Sequence, residues 1–132
     1  MHGGSTHFPI ALVLVSLLFD MSGYVWPGEA RRRELHTVGF YLILLGALSS
    51  FGAVFSGLAI SKWTLIGTGL IAKHHLFVWP GVGLMIALAV WRIIVGDNAS
   101  RRAFAIYLAA MVVASALIAT AGYWGGEMLI GN

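Results

Sequence analysis

The chain has 132 residues, of which 59% are hydrophobic and 10% are charged, with a formal net charge of +3. A soluble domain of this length has too much surface for its volume to bury so many apolar side chains. Ordinary globular chains carry roughly 25% charged residues. The composition therefore excludes an ordinary soluble domain and favours a lipid bilayer as solvent. The absence of cysteine also excludes disulfides, iron–sulfur clusters and c-type haem attachment.

Four apolar stretches follow one another along the chain, each close to the ~20 residues that a helix needs to cross a bilayer. They cover residues 9–26, 37–60, 75–95 and 103–124. Backbone groups in lipid must be hydrogen-bonded within their own segment, so each stretch is predicted to be a helix. Because the connections are short, we expect an all-α, integral membrane, up-down-up-down four-helix bundle in a single domain.

The basic residues predict the orientation of the spans. All six arginines are assigned to the first and third connections. Positive residues concentrate in cytoplasmic loops, so these connections are expected in the cytoplasm and both termini on the outer, periplasmic side of a bacterial inner membrane. The positive charge is interpreted as this topology signal, and nucleic acid is not an expected partner.

Asp20 is a charged residue within the first predicted span, toward its cytoplasmic end. A charge at mid-bilayer costs at least ~2.5–3.5 kcal/mol on insertion scales. We expect Arg31–Arg33 to relieve that cost by pairing with Asp20 or by snorkelling. A structural anchor is favoured over a proton relay.

The topology brings most of the histidines to one leaflet. The residues predicted at the outer face are His2, His7, His74, His75 and Glu127. His36 alone falls on the cytoplasmic side. His7 and His75 are expected at similar depth on diagonal helices, separated by roughly 12–14 Å if neighbouring helices lie 8–10 Å apart. Two inward-pointing imidazoles can hold a metal across such a gap.

Three interpretations of this cluster remain open from the residues alone. A haem can be ligated by two imidazoles, and the small residues between Gly46 and Gly57 would leave room for its flat macrocycle. A small ion such as zinc or copper would use His2, His7, His75 and Glu127. The histidines can also be plain interfacial polar groups, because small residues are the usual contact surface of membrane helices. Trp79 either belongs to the interfacial aromatic belt or lines a pocket.

The chain resembles the bacterial membrane protein family "domain of unknown function 2231" over nearly its whole length. The similarity is carried by His2 with His7–Leu12, by Ser56–Ala59, by the histidine that opens the third span, and by Gly122–Glu127. The family usually has proline after the first histidine, where this chain has Gly3. The resemblance implies a four-helix membrane protein whose relatives are suspected of holding b-type haem in redox contexts.

Together these features predict a b-type cytochrome-like subunit that transfers electrons between a periplasmic redox partner and the quinone pool. The candidate cofactor-binding residues are His7, His74, His75, Gly57, Trp124 and Glu127. His7 and His75 (or His74) are the expected iron ligands of one haem b, with quinone as a second candidate ligand. Such a chain is more an electron-transfer subunit of a multi-subunit oxidoreductase than an enzyme alone, and it implies further membrane or periplasmic subunits. The alternatives are a non-redox anchor of a larger complex and a small metal-ion-binding membrane protein.

Overall fold

A computed structural model describes residues 2–130, with side chains at 6–128 and 130. Four long helices account for nearly all of this part of the chain, and a 3₁₀ turn at Gly96–Asn98 precedes the last of them. Their bounds are His2–Val25 (α1), Glu29–Ile60 (α2), Gly69–Val95 (α3) and Arg101–Ile130 (α4). Each is long and apolar enough to cross a membrane. The prediction of an all-α helical bundle is confirmed.

The helices extend beyond the apolar stretches that predicted them. Helix α1 runs through Pro9, and α2 already begins at Glu29, so Arg31–Arg33 lie in its first turns. Helix α3 begins at Gly69, which places His75 in its second turn and not at its start. Arginine and glutamate are good helix formers, so polar flanks continue a helix that the hydrophobic segment starts.

The bundle core is built equally from the four helices. Val13, Ile43, Met85 and Met111, one from each helix, are completely buried. Helix α1 packs mainly along α2 and α3 mainly along α4, and of the four neighbouring helix pairs α2 and α3 contact each other least. The bundle is therefore two tightly packed pairs that are joined more loosely on the α2–α3 side.

The outer surface of the bundle is apolar along the helices. Leu48, Ile94 and Ile106 are each more than 60% exposed. Such residues, exposed on every helix, would be unfavourable in water, and they match the hydrocarbon of a bilayer. The protein is an integral membrane protein.

The two ends of the bundle carry different polar residues. The arginine end carries the α1–α2 and α3–α4 connections, and the histidine end carries His7, His74 and His75. His75 and Arg92 lie about 25 Å apart along α3 at ~1.5 Å per residue.

Candidate cofactor cavity

A cavity of about 300 Å³ lies at the histidine end and is lined by all four helices. It lies at the lower end of the ~300–1,000 Å³ that is typical of small-molecule pockets. His7 enters from α1 and both His74 and His75 from α3. The structure thus brings together three of the four histidines that the sequence assigned to one face. The side chain of His2 lies outside the described residues.

Both α3 histidines are oriented by backbone carbonyls. His75 is buried, and its Nδ1 donates to the carbonyl of Ile66 at 3.1 Å. His74 Nδ1 donates to the carbonyl of Ala121 in α4 at 2.8 Å. A carbonyl oxygen only accepts hydrogen bonds, so Nδ1 carries a proton in each ring, and in the neutral imidazole Nε2 then carries the lone pair. This tautomer is the one that metal-ligating histidines commonly use.

The walls of the cavity are slim on two helices. Ala53 and Gly57 line it from α2, as expected for Gly57, and Gly125 and Gly126 line it from α4. A methyl group added at Gly126 would meet nothing within 4 Å. The cavity is therefore open beside Gly126, whereas a methyl group at Gly125 would contact the His74 ring.

Trp79 also lines the cavity, and its indole Nε1 donates to the carbonyl of Leu65 at 2.9 Å. Of the two interpretations offered by the sequence, the structure therefore favours the pocket. The ring lies 5.7 Å from that of His75, centroid to centroid. The indole thus helps to position the buried histidine.

Trp124 and Glu127, two of the candidate cofactor-binding residues, do not line the cavity. At 3.6 residues per turn, Gly122 and Gly126 share one face of α4, and Trp124 and Glu127 lie on the opposite face. Trp124 instead carries the ammonium group of Lys73 over its ring, 4.5 Å from the centroid. The sequence predicts the depth of these two residues in the membrane, but it does not predict the direction in which they point from the helix axis.

Among the described side chains, no group of three or more His, Cys, Asp or Glu residues is arranged to hold a metal ion. A small-ion site would need such a group, since zinc sites use three or four protein ligands. Axial ligation of haem needs only two histidines. The small-ion site predicted from the sequence also includes His2, whose side chain lies outside the described residues, so that site stays a prediction.

A second cluster of polar side chains lies at the arginine end and draws one residue from each helix. The Asp20 carboxylate accepts hydrogen bonds from Arg92 Nη1 at 2.8 Å, Tyr107 Oη at 3.0 Å and His36 Nδ1 at 3.0 Å. Arg92 Nη2 also donates to the backbone carbonyl of His36 at 2.8 Å. Asp20 is fully buried, and Arg92 and Tyr107 nearly so. We refer to Asp20, His36, Arg92 and Tyr107 as the ionic network.

The expectation that Arg31–Arg33 would relieve Asp20 is wrong. Arg31 pairs with Glu34 at 3.1 Å, and Arg33 pairs with Glu29 at 2.6 Å, all four on the exposed surface of α2. Arg92, and not an arginine of α2, is the cation that pairs with Asp20.

The prediction that Arg92 lies in the third connection is also wrong. It lies within α3, four residues before the 3₁₀ turn, and is 4% exposed. The signal that was available is the matching depth of two opposite charges inside predicted spans. Asp20 near the end of α1 and Arg92 near the end of α3 both fall toward the arginine end.

Two glycines make room for the ionic network. An added Cβ at Gly39 would lie 2.5 Å from Asp20 Oδ1, and one at Gly23 would lie 2.8 Å from the His36 ring. The guanidinium of Arg92 also lies over the rings of Phe104 and Tyr107, 5.2 and 5.1 Å from their centroids. The charge of Arg92 is thus compensated by Asp20 and by aromatic faces.

Comparison with known families identifies the chain, over residues 1–131, with the family described as "Predicted membrane protein (DUF2231)". The match covers almost the whole chain, so the protein belongs to this family, as its opening and closing motifs indicated. No significant match was found among curated proteins or among solved structures.

Proposed function

We propose that the protein is a b-type cytochrome-like subunit that holds one haem in the cavity at the histidine end and carries electrons between a periplasmic partner and the quinone pool. The observation that carries the proposal is the pair of α3 histidines, which border a cavity lined by all four helices and are fixed by backbone carbonyls in the tautomer that leaves Nε2 as the donor. Haem would supply one-electron redox chemistry.

The residues at the cavity supply imidazole nitrogens and an apolar lining, which is the chemistry that such a group needs. His7 from α1 and either His74 or His75 from α3 would ligate iron. The apolar lining and the fixed imidazoles would tune its potential through burial and hydrogen bonding. Gly57 and Gly126 would leave room for a flat ring system.

The optical spectrum of the purified protein tests the proposal. We expect an α-band of reduced b-type haem in the wild type, and its loss or a change of ligation in His7→Ala. Comparing His74→Ala with His75→Ala identifies the α3 ligand, because one of the two variants should keep the bis-histidine spectrum. Lys62→Gln, at the same end but outside the cavity, is the matched control. A wild type that holds no haem after haem supplementation during expression contradicts the proposal.

The alternative is a non-redox anchor or assembly subunit of a larger membrane complex. It is favoured by the bond from His74 to Ala121, which ties α3 to α4 with no need for a ligand. If His7→Ala and His75→Ala leave complex assembly and turnover unchanged, this alternative replaces the first. The orientation with both termini on the periplasmic side belongs to the same proposal, and labelling of single cysteines introduced at Lys62 and Arg102 tests it.

A further inference from the structure

The connection between α2 and α3 is apolar although it lies outside the helices. It comprises residues 61–68 at the histidine end, and we refer to it as the apolar loop. No residue from Trp63 to Ala72 is charged. Trp63, Leu65 and Ile66 are 61%, 61% and 74% exposed, and none of them lines the cavity of about 300 Å³. Connections that face water are built mostly from polar and turn-forming residues, so this loop suits an apolar environment.

The backbone of the apolar loop is hydrogen-bonded to the protein where its side chains are exposed. Trp79 Nε1 donates to the carbonyl of Leu65 at 2.9 Å, and His75 Nδ1 donates to the carbonyl of Ile66 at 3.1 Å. The N–H of Trp63 donates back to the carbonyl of Leu58 at 2.7 Å. In water such groups can bond to solvent, whereas in lipid they need partners within the protein. The loop therefore has the hydrogen bonds that contact with lipid demands.

The apolar loop turns one of its rings back along α2. The chain passes through Lys62 and Trp63 with φ of 52° and 62°, a conformation that is uncommon for residues other than glycine. After this turn the Trp63 ring contacts Phe55, with 5.7 Å between the ring centroids. Phe55 is 64% exposed on the surface of α2 that faces the bilayer. The apolar surface of the loop is thus continuous with the lipid-facing surface of the bundle.

The depth and the charges of the apolar loop match the boundary of a bilayer. His36 and Ile60 lie about 36 Å apart along α2 at ~1.5 Å per residue, which slightly exceeds the ~30 Å of a hydrocarbon core. They therefore lie near opposite boundaries, and the loop begins at the second one. Lys62 and Lys73 flank the uncharged segment, and both are exposed. Lysines at this level extend their ammonium groups toward the lipid phosphates.

We propose that the apolar loop inserts into the bilayer interface at the histidine end, with Trp63, Leu65 and Ile66 against lipid acyl chains and Lys62 at the level of the phosphates. The partner of this surface is lipid, because the surface continues onto the lipid-facing side of α2 and is flanked by cations. Insertion requires neither haem nor quinone, so failure of this proposal and failure of the proposed function are independent.

Spin labels on single cysteines measure the depth of the loop, since the chain has no cysteine of its own. Leu65→Cys and Ile66→Cys are labelled in the full chain in nanodiscs of phosphatidylcholine and phosphatidylglycerol. At both positions, collisions with oxygen should exceed those with a water-soluble nickel chelate, as at Leu48→Cys in the middle of α2. The order should reverse at Glu34→Cys, which is exposed at the arginine end.

Two results overturn the proposal. Labels on the loop that collide mainly with the nickel chelate would place the loop in water. Labels that collide little with either reagent would mean that a second copy of the chain covers the loop instead of lipid.

The hydrogen bond from Trp79 is tested with the same label. Trp79→Phe keeps an aromatic ring but leaves the Leu65 carbonyl without its donor, and an unpaired carbonyl is more favourable near water. The label at Ile66→Cys should therefore shift from collision with oxygen toward collision with the nickel chelate. Trp26→Phe, at the arginine end, is the matched control and should leave the label unchanged. An unchanged label in a folded Trp79→Phe variant overturns the role of the indole in holding the loop in lipid.

Discussion

At the arginine end, four polar side chains from four helices are bonded to one another with little space between them, whereas at the histidine end three histidines border a cavity of about 300 Å³. The first arrangement satisfies its charges internally, and the second turns side chains toward a space. This contrast separates the part of the bundle that ties the four helices together from the part that borders a cavity. Substitutions at the arginine end should therefore lower the stability of the bundle more than substitutions at the histidine end.

The largest expected effect is on removing one partner of the buried ion pair. Arg92→Leu leaves the Asp20 carboxylate in the bundle without its cation, which should lower the free energy of unfolding by about 3–5 kcal/mol. Unfolding in a mixed-micelle denaturant titration measures it. The exposed pair of Arg31 and Glu34 gives the control, because Glu34→Gln should change stability by less than about 1 kcal/mol. Similar losses in the two variants would contradict the assignment of the ionic network as the principal tie.

Space at the arginine end is tested by adding a single methyl group. Gly39→Ala would place Cβ 2.5 Å from Asp20 Oδ1, so the carboxylate must shift, with a loss of up to about 3 kcal/mol. Gly52→Ala lies on the same helix with nothing within 4 Å of the added atom and should be neutral or slightly stabilising. Thermal unfolding of the two variants in the same detergent makes the comparison. If both melt at the wild-type temperature, the close packing around Asp20 is not as described.

Tyr107→Phe should have a smaller effect. It removes one of three hydrogen bonds to Asp20, and the cost should be roughly 1.5 kcal/mol, at the low end for a bond to a charged group because two donors remain. The ring itself, stacked on Trp91 at 5.2 Å between centroids, is retained. The same denaturant titration measures the change. A loss as large as that of Arg92→Leu would mean that the hydroxyl contributes as much as the guanidinium to the stabilisation of Asp20.

The smallest effect is expected at the histidine end. Gly126→Ala adds a methyl group to open space beside the cavity and should raise stability by no more than about 1 kcal/mol, through helix propensity. Gly122→Ala on the same face is the matched comparison, since its Cβ would lie 2.8 Å from Ile10 Cδ1 and requires that side chain to move. Thermal unfolding in detergent measures both variants. A strongly destabilised Gly126→Ala would show that the cavity is closed in solution.

The sequence predicts the histidine end better than the arginine end. The four spans follow from the hydrophobic length of each segment. The convergence of His7, His74 and His75 follows from the alternating direction of consecutive spans. The rotation of each helix about its own axis cannot be predicted in this way. That rotation places Gly126 at the cavity and Glu127 away from it. Depth alone therefore placed the histidines together but also assigned residues that face away.

The ionic network could be predicted only by pairing residues from different spans. Pairing of Asp20 with Arg92 joins residues 72 positions apart in sequence. The nearby arginines of α2 were the simpler partners by sequence distance, but helix α2 turns them outward. A search for opposite charges at equal depth in different spans would have found the pair, because each charge in lipid requires the other.

The order in which the chain is synthesised gives the ionic network a further consequence. Asp20 and His36 emerge early, on α1 and α2, whereas Arg92 and Tyr107 follow only with α3 and α4. Chains are made from the N-terminus, so His36 is the only member of the network that can accompany Asp20 during the first half of insertion. A nascent chain that has been made only as far as α2 therefore carries the Asp20 carboxylate without its cation, and the charge is compensated only once α3 has been inserted.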